Sequence, residues 1–397
     1  MMTVAPKVTS QMQRQTKREH QLDIFRPTWV EVDLDAIAHN VSQAAKAHAG
    51  KELFAVVKAN GYGHGDLEVG LTALENGATA LAVSSFEEAM HLKNHDFSCP
   101  VLVMGVTEIS YVTLAADKGI TLTAHDPEWI SALSDVPLVS TLNLHLKIDT
   151  GMHRIGVLTH EEAILCIELI DKLPHVELEG IFTHMATADE ANQDYFQHQV
   201  EAFKRILATL DISKVKYIHL ANSATLLQHA FDFEHAVRFG ISMYGVDPTG
   251  GLGKHGITLK PTFSLYSSLA QVKLLPAGSK VGYGATYECQ TDEWIGAIPI
   301  GYADGWIRQN QGRSVVIDGH ECEIVGRVCM DQMMVRLPKR FEMGTRVTLI
   351  GAGMPVERVA AEMETIPYET FCIISDRVPR VYYKDGKPYR CQKMRFD

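Results

Sequence analysis

Lys58 ends an apolar run over residues 54–57 and is followed by Asn60, Gly61, Gly63 and Gly65 in the stretch FAVVKANGYGHG. Continuous apolar residues of this kind have the character of a strand buried on both faces. The glycines after the lysine let backbone approach a ligand closely, and a helix is predicted over residues 66–76. A lysine at the C-terminal end of a buried parallel strand sits where an α/β barrel keeps its chemistry. Partial desolvation there lowers its pKa toward that of a nucleophilic amine. Lys58 is therefore a Schiff-base candidate, with a surface lysine that merely closes a strand as the plain alternative.

Other polar residues recur where strand-like runs end: Tyr62 shortly after Lys58, Lys147 and Arg154, His184, Asn222 and Ser223, and Arg238. A lone histidine such as His184 is more often structural than functional, but convergence on one rim reverses that reading. Ser223, with the backbone N–H groups around Gly240 and Ile241, offers a cradle for a phosphate. Arg238 lies inside an apolar run and stays charged, so burial demands an anion or a strong acceptor beside it. A salt bridge to a nearby carboxylate is its plain alternative.

Further along, GYGATY holds Tyr283 between two glycines, GYADG holds Tyr302 before Asp304, and RVCMDQ groups Cys329, Met330 and Asp331. Each alone reads as a turn. One cysteine and one aspartate in neighbouring positions lack metal-ligand spacing, so no metal is expected. Cys329 has no histidine-base pattern around it, which argues against a thiol nucleophile.

Eight strand-like runs supply the frame that must position these groups. They are FAVVK and the runs near residues 81, 101, 120, 143, 178, 217 and 236, separated by helical patterns such as 85–94, 160–173 and 192–210. Their spacing is that of βα units, and eight in a row predict an α/β fold with a (β/α)8 TIM-like barrel. After about residue 256 the texture changes to valine, threonine, glycine and tyrosine in short runs, which predicts a mostly β C-terminal domain. The expected organisation is a flexible tail over 1–25, a strand over 26–35 joining the β domain, the barrel over 36–255 and the β domain over 256–397. Asp35 is the expected cap of the first helix, and the glycine-rich stretch 250–256 is a candidate linker.

A chain of 397 residues accommodates a barrel plus a smaller domain, and 46% hydrophobic with 21% charged residues is ordinary for a globular protein. No stretch approaches a membrane span. A net charge of -11 argues against nucleic acid as the main partner and confines any anion site to a local pocket. Seven cysteines without CxxC spacing fit free thiols in a reducing compartment. The polar first 25 residues resemble neither a signal peptide nor an anchor, so a cytoplasmic location is expected.

Taken together, AVVKANGYGHG, LKIDTGMHRIG, THMATAD, ANSATL, VRFGISMYG, GYGATY, IPIGYADG, VGRVCMDQ and RVPR make the sequence resemble the alanine racemases over about residues 26–380. The resemblance implies pyridoxal 5'-phosphate as cofactor and a homodimer whose active sites are completed across the interface. It implies that Lys58 carries the cofactor and acts as one base, while Tyr283 from the other subunit acts as the second. Tyr62, Ser223, Gly240, Ile241 and the Tyr302 loop would hold the phosphate, Arg238 the pyridine nitrogen, and His184 would lie near the ring. Arg154 would contact the ring hydroxyl and the substrate carboxylate, the Met330 N–H would meet that carboxylate, and Asp331 would support the loop. Lys147 matches a family position where a carbamylated lysine can orient the arginine.

These roles suit the residue types, because a racemase needs bases on opposite faces of Cα. An arginine at the ring nitrogen leaves the ring unprotonated and restrains side reactions. The implied activity is interconversion of L- and D-alanine for cell-wall peptidoglycan. Racemization of serine, lysine or a broader set of amino acids, a non-catalytic carrier of the cofactor, and a decarboxylase of similar barrel fold are the alternatives. Two departures from the family pattern stand out: His153 where glycine is usual, and Asp376 where an aromatic residue is frequent.

Overall fold

The computed structural model describes residues 24–251 and 253–393, so the tail expected over 1–25 falls almost wholly outside the described residues. Two compact units make up the chain. One comprises residues 32–263 and 355–375; the other comprises the described residues up to Glu31, residues 264–354, and those from Asp376 onward.

After strand β1 (Thr28–Asp33), the larger unit carries eight parallel strands: β2 (Glu52–Val56), β3 (Ala80–Val83), β4 (Val101–Val103), β5 (Ile120–Ala124), β6 (Leu142–Lys147), β7 (Val176–Phe182), β8 (Tyr217–His219) and β9 (Ala236–Phe239). Their order in the sheet is β8-β7-β6-β5-β4-β3-β2-β9. The ring is completed by backbone bonds from His235 N–H to Ile218 O (2.8 Å) and from Arg238 N–H to Ala221 O (3.1 Å). This is the (β/α)8 barrel that the alternation predicts. Leu53, Phe54, Ala55 and Val56 are all buried, because helices cover one face of the strand and barrel packing covers the other.

Helices α1 (Leu34–Ala47), α2 (Asp66–Glu75), α3 (Phe86–Asn94), α4 (Val112–Asp117), α5 (Pro127–Ala132), α6 (His160–Ile170), α7 (Asp194–Leu207) and α8 (Ser223–Gln228) accompany the strands. Asp33, not Asp35, caps α1: its carboxylate accepts the Ala36 N–H at 2.9 Å, and Asp35 lies in the first turn. Capping boxes at Ser85 with Glu88 and at Thr159 with Glu162 start α3 and α6. A 3-10 turn, Ile241–Tyr244, follows β9.

Two further helices, α9 (Val356–Glu362) and α10 (Pro367–Cys372), belong to the barrel unit, although the sequence places them within the β domain. Burial of Phe371 is the reason, since its ring lies 5.0 Å from that of His64. The Phe371 carbonyl also closes over Gly63, where a Cβ would lie 2.5 Å away.

In the second unit run β10 (Phe263–Ser268), β11 (Gln271–Leu275), β12 (Lys280–Val281), β13 (Tyr287–Glu288), β14 (Glu293–Ile298), β15 (Ser314–Ile317), β16 (His320–Val325), β17 (Met333–Leu337), β18 (Arg346–Ile350), β19 (Arg380–Lys384) and β20 (Lys387–Gln392). Ten strands form one sheet in the order β11-β14-β17-β16-β15-β18-β10-β1-β19-β20, which takes in β1, while β12 and β13 pair separately. All seven cysteines are free. Among the described residues no helix is long and apolar enough to cross a membrane.

Candidate active site

Strand β2 delivers Lys58 to the barrel mouth, and the chain then turns the wrong way. Ala59, Asn60, Gly61 and Tyr62 have φ of 53, 52, 59 and 50°, one turn of left-handed helix. Each L-residue held there costs about 1–2 kcal/mol, so the surroundings must over-determine the turn. They do so from several sides. The Ala59 N–H donates to Glu88 Oε1 at 2.7 Å, and the Asn60 carbonyl and Oδ1 accept the Gly65 and Asp66 N–H groups at 2.8 and 3.2 Å. The Tyr62 ring packs on Tyr244 at 4.7 Å, and the Tyr244 hydroxyl donates to Val56 O at 2.9 Å.

The turn places Lys58 Nζ 5.9 Å from the centre of the Tyr62 ring. Burial lowers the Lys58 pKa, and the Arg154 charge lowers it further against a smaller opposing effect of Glu88. Burial raises the Tyr62 phenol, which stays protonated and available as a donor.

Opposite Tyr62 lies a polar cradle. Ser223 Oγ accepts the N–H of Gly240 at 3.0 Å and that of Ser242 at 3.3 Å. A Cβ on Gly240 would lie 3.0 Å from the Tyr62 hydroxyl and 3.6 Å from Ser223 Oγ, so only glycine leaves this space open. Ile241 begins the adjoining buried 3-10 turn, and the Ser242 hydroxyl is buried without a hydrogen-bond partner. Clustered N–H groups, hydroxyls and an orphaned donor fit a phosphate group.

Deeper in, Arg238 is fully enclosed. Its Nη2 donates to Thr183 O at 2.9 Å and Leu220 O at 3.0 Å and lies 3.4 Å from His184 Nδ1. Burial brings its pKa down to about 10, with Glu234 opposing. The sequence alternatives for Arg238 resolve toward neutral acceptors, because no carboxylate touches it among the described residues. His184 is held well below its ordinary value by burial and then by the charge of Arg238, so it is a neutral imidazole. Lys147 and Arg238 both stand over the Phe182 ring, at 5.0 and 5.6 Å. Burial, followed by Arg238, lowers Lys147 well below the ordinary ammonium value.

Arg154 is positioned through its backbone. Asp149 accepts N–H groups from Gly151 (2.9 Å), His153 (3.0 Å) and Arg154 (3.1 Å), which wraps the loop around one carboxylate. His153 takes φ of 52°, the conformation for which glycine is the unstrained residue.

Tyr283, Tyr302, Met330 and Asp331 lie in the β unit. Tyr283, on the 3-10 turn Tyr283–Ala285, is 71% exposed, and Met330 and Tyr302 are also exposed. A Cβ on Gly301 would meet Cys329 O at 2.3 Å and Met330 O at 2.4 Å, and the Tyr302 N–H donates to Cys329 O at 3.1 Å. Two separate sequence motifs thus form one surface. Asp331 accepts from Arg377 at 2.8 Å, and buried Asp304 binds Arg26 through both oxygens at 2.8 and 2.6 Å. Asp376 is exposed, with its carboxylate 3.8 Å from Arg380.

Four supporting residues lie outside the candidates taken from the sequence. Glu88 is legible as part of a capping box, and Asp149 as the acidic residue before a glycine turn. Ser242 and Tyr368 carry no local signal; Tyr368 reaches within 6.1 Å of the Tyr62 ring from α10, some 300 residues away in the chain. Among the described residues no group of three histidines, cysteines or carboxylates could hold a metal ion.

Comparison with known proteins places both parts of the chain in one family. Residues 32–248 match the family described as "Alanine racemase, N-terminal domain", and residues 262–382 match "Alanine racemase, C-terminal domain". The alanine racemase of Anoxybacillus flavithermus is 50% identical, over 91% of this chain and 96% of its own. The crystal structure of alanine racemase from Bacillus anthracis with bound L-Ala-P superposes with a TM-score of 0.88 at 40% identity, covering 93% of this chain and 98% of that one. A histidine racemase from Leuconostoc mesenteroides has a TM-score of 0.84 at 29% identity, covering 91% of this chain and 99% of that one. On its sequence and on its fold alike, this chain belongs to the alanine racemase family.

Proposed function

We propose that this chain interconverts L- and D-alanine in the cytoplasm with pyridoxal 5'-phosphate held on Lys58, supplying D-alanine for peptidoglycan. Family membership supports the reaction. The observation that carries the cofactor is the pairing, at one barrel mouth, of a desolvated lysine amine with a phosphate cradle kept open by Gly240. The cofactor, when bound, withdraws electrons from the substrate Cα and so acidifies its proton.

The chain's own residues do the rest. Lys58, with its lowered pKa, takes or returns the Cα proton on one face. Tyr283, supplied by the second subunit of a homodimer, serves the other face; its exposure on the β unit suits a residue that acts outside its own chain. Each turnover moves one proton off Cα and puts one back on the opposite face, so no net proton is gained or lost. Tyr62, Ser223, Gly240 and Ile241 bind the phosphate, with the Tyr302 loop of the second subunit. Arg238 meets the ring nitrogen as a donor and His184 lies near the ring. Arg154 and the Met330 N–H orient the substrate carboxylate, and Asp331 holds the Met330 loop through Arg377. Burial holds Lys147 well below the ordinary ammonium value, toward the neutral amine that takes up carbon dioxide, which supports a carbamate there that steadies Arg154.

Mixing the inactive Lys58→Ala and Tyr283→Phe proteins tests both the two bases and the dimer. Subunit exchange is expected to restore part of the activity, because a heterodimer holds one site with both bases. A fully active monomer in sedimentation would overturn the shared site. The histidine racemase on the same fold keeps a second substrate in view. Optical rotation followed with single enantiomers of alanine, serine, lysine and histidine separates them, with alanine expected to lose rotation fastest.

A further inference from the structure

Barrel interiors are normally filled by layers of branched aliphatic side chains. This one encloses a line of polar groups. Arg238 Nη1 lies 2.6 Å from His219 Nδ1, His219 Nε2 lies 2.9 Å from His145 Nδ1, and His145 Nε2 lies 3.5 Å from Glu179 Oε2. His145, His219 and Arg238 are all at least 98% buried. Burial, then Glu179 in the opposite sense, leaves His145 below its ordinary value; burial and Arg238 leave His219 well below it, so both rings are neutral.

The direction of both hydrogen bonds in this line is determined, and the third link is a 3.5 Å contact. A guanidinium has only donors, so His219 Nδ1 must accept. The proton of neutral His219 is then on Nε2 and is donated to His145 Nδ1. His145 in turn carries its proton on Nε2, aimed at the Glu179 carboxylate. Burial would raise Glu179, but the His145 bond and the Lys216 charge outweigh it and keep the carboxyl below its ordinary value.

Two features are built around this line. The pairing of β6 with β7 shifts from Leu144 opposite Leu178 to His145 opposite Gly180, leaving Glu179 as the extra residue of a bulge. Bulges re-aim side chains, and here the Glu179 carboxylate comes within 3.5 Å of His145 Nε2. At Gly180 a Cβ would lie 2.7 Å from His145 Nδ1, so no other residue leaves room for the ring. Thr121 Oγ1 donates to Glu179 at 3.3 Å, and Lys216 Nζ lies 3.7 Å from its other oxygen. On its outer side Glu179 lines an open cleft of about 400 Å³ with Lys93, Lys118, Thr121 and Asn143.

We propose that Glu179 is a positioning residue for the chemistry at Arg238: through His145 and His219 it fixes the tautomers that hold the guanidinium against a neutral acceptor. The proposal rests on the assignment of Arg238 to the cofactor ring nitrogen. Removing the acceptor with Glu179→Leu leaves the His145 Nε2–H unpaired and favours protons on Nδ1 of both rings, one of which would then face an Arg238 donor. Glu179→Gln keeps an amide oxygen as acceptor and removes only the charge.

The test is ¹⁵N-histidine NMR of the intact protein, with and without pyridoxal phosphate, together with the cofactor absorption spectrum and kcat and KM for alanine. Wild type and Glu179→Gln are expected to show an unprotonated Nδ1 on His219. Glu179→Leu is expected to lose that signal, shift the cofactor band and lower kcat roughly tenfold with KM little changed, as outer partners of functional groups do. A proton on His219 Nδ1 in the wild type would overturn the proposal. So would switched tautomers with an unmoved cofactor band and kcat. If the NMR pattern holds but the protein binds no pyridoxal phosphate, the assignment of Arg238 fails instead. Should Glu179→Leu not fold, Glu179→Ala, which likewise removes the acceptor, takes its place with the same readouts and the same outcomes.

Discussion

The carboxylate of Asp149 accepts the backbone N–H of Arg154 at 3.1 Å, so the place of the arginine is set by its own main chain rather than by its side chain. Burial would raise the Asp149 pKa, but the backbone N–H groups of His153 and Gly151 that it accepts outweigh this and leave it lowered. A depressed carboxyl stabilises the fold above its unfolded pKa of about 3.9, and the contribution is lost as pH falls through the lower folded value. Asp149→Asn is expected to cost about 1.5–3 kcal/mol at neutral pH, as for hydrogen bonds to a charged group. Urea unfolding should show that gap unchanged from neutrality to about pH 5 and shrinking below about pH 4. A gap independent of pH would refute the ionic origin.

His153→Gly should stabilise the protein. Relief of a left-handed conformation returns about 1–2 kcal/mol, and the added chain entropy of glycine removes about 0.5–1, for a net gain of about 0.5–1 kcal/mol. The His153 imidazole is exposed and 3.9 Å from Asp149, a pair that contributes little. A higher urea midpoint at constant slope is the expected result, and a lower one would show that the imidazole matters.

At the cradle, Gly240→Ala puts a methyl group 3.0 Å from the Tyr62 hydroxyl. Cofactor affinity is expected to fall roughly tenfold, about 1.4 kcal/mol, as read by equilibrium dialysis with pyridoxal phosphate. Circular dichroism of the cofactor-free variant checks that the fold survives. Unchanged affinity in a folded variant would move the phosphate elsewhere.

Lys58 should react ahead of the exposed lysines, while Lys147, lowered further, is shielded from reagent by its burial. Burial and the Arg154 charge lower its pKa, so at about pH 8 a larger fraction is free amine than for exposed lysines near 10.4. Limited treatment of the cofactor-free protein with an amine reagent, followed by peptide mapping, should label Lys58 ahead of the exposed lysines, and pyridoxal phosphate should protect it. Uniform labelling would contradict the lowered value.

How much of this was legible in the chain depends on how far apart the interacting residues lie. Runs such as FAVVK and ITLTA specify buried parallel strands because both faces of each are covered, and their regular alternation with helices is enough for a barrel. The rim residues follow from the same logic, since the end of a strand is defined by its neighbours in sequence. Caps are less certain by that route: Asp33 and Asp35 are equally good acceptors, and the pairing of β1 up to Asp33 decides between them. The left-handed turn after Lys58 is beyond local pattern altogether, because Ala59 and Tyr62 have no preference for positive φ and are held there by Glu88, Tyr244 and Phe371. Nothing local places Phe371 and Tyr368 with the barrel unit, or lines His145 and His219 between Glu179 and Arg238. Composition, periodicity and turn chemistry act over a few residues and are written in the sequence. Contacts across tens to hundreds of residues exist only once packing has chosen which buried groups must satisfy one another.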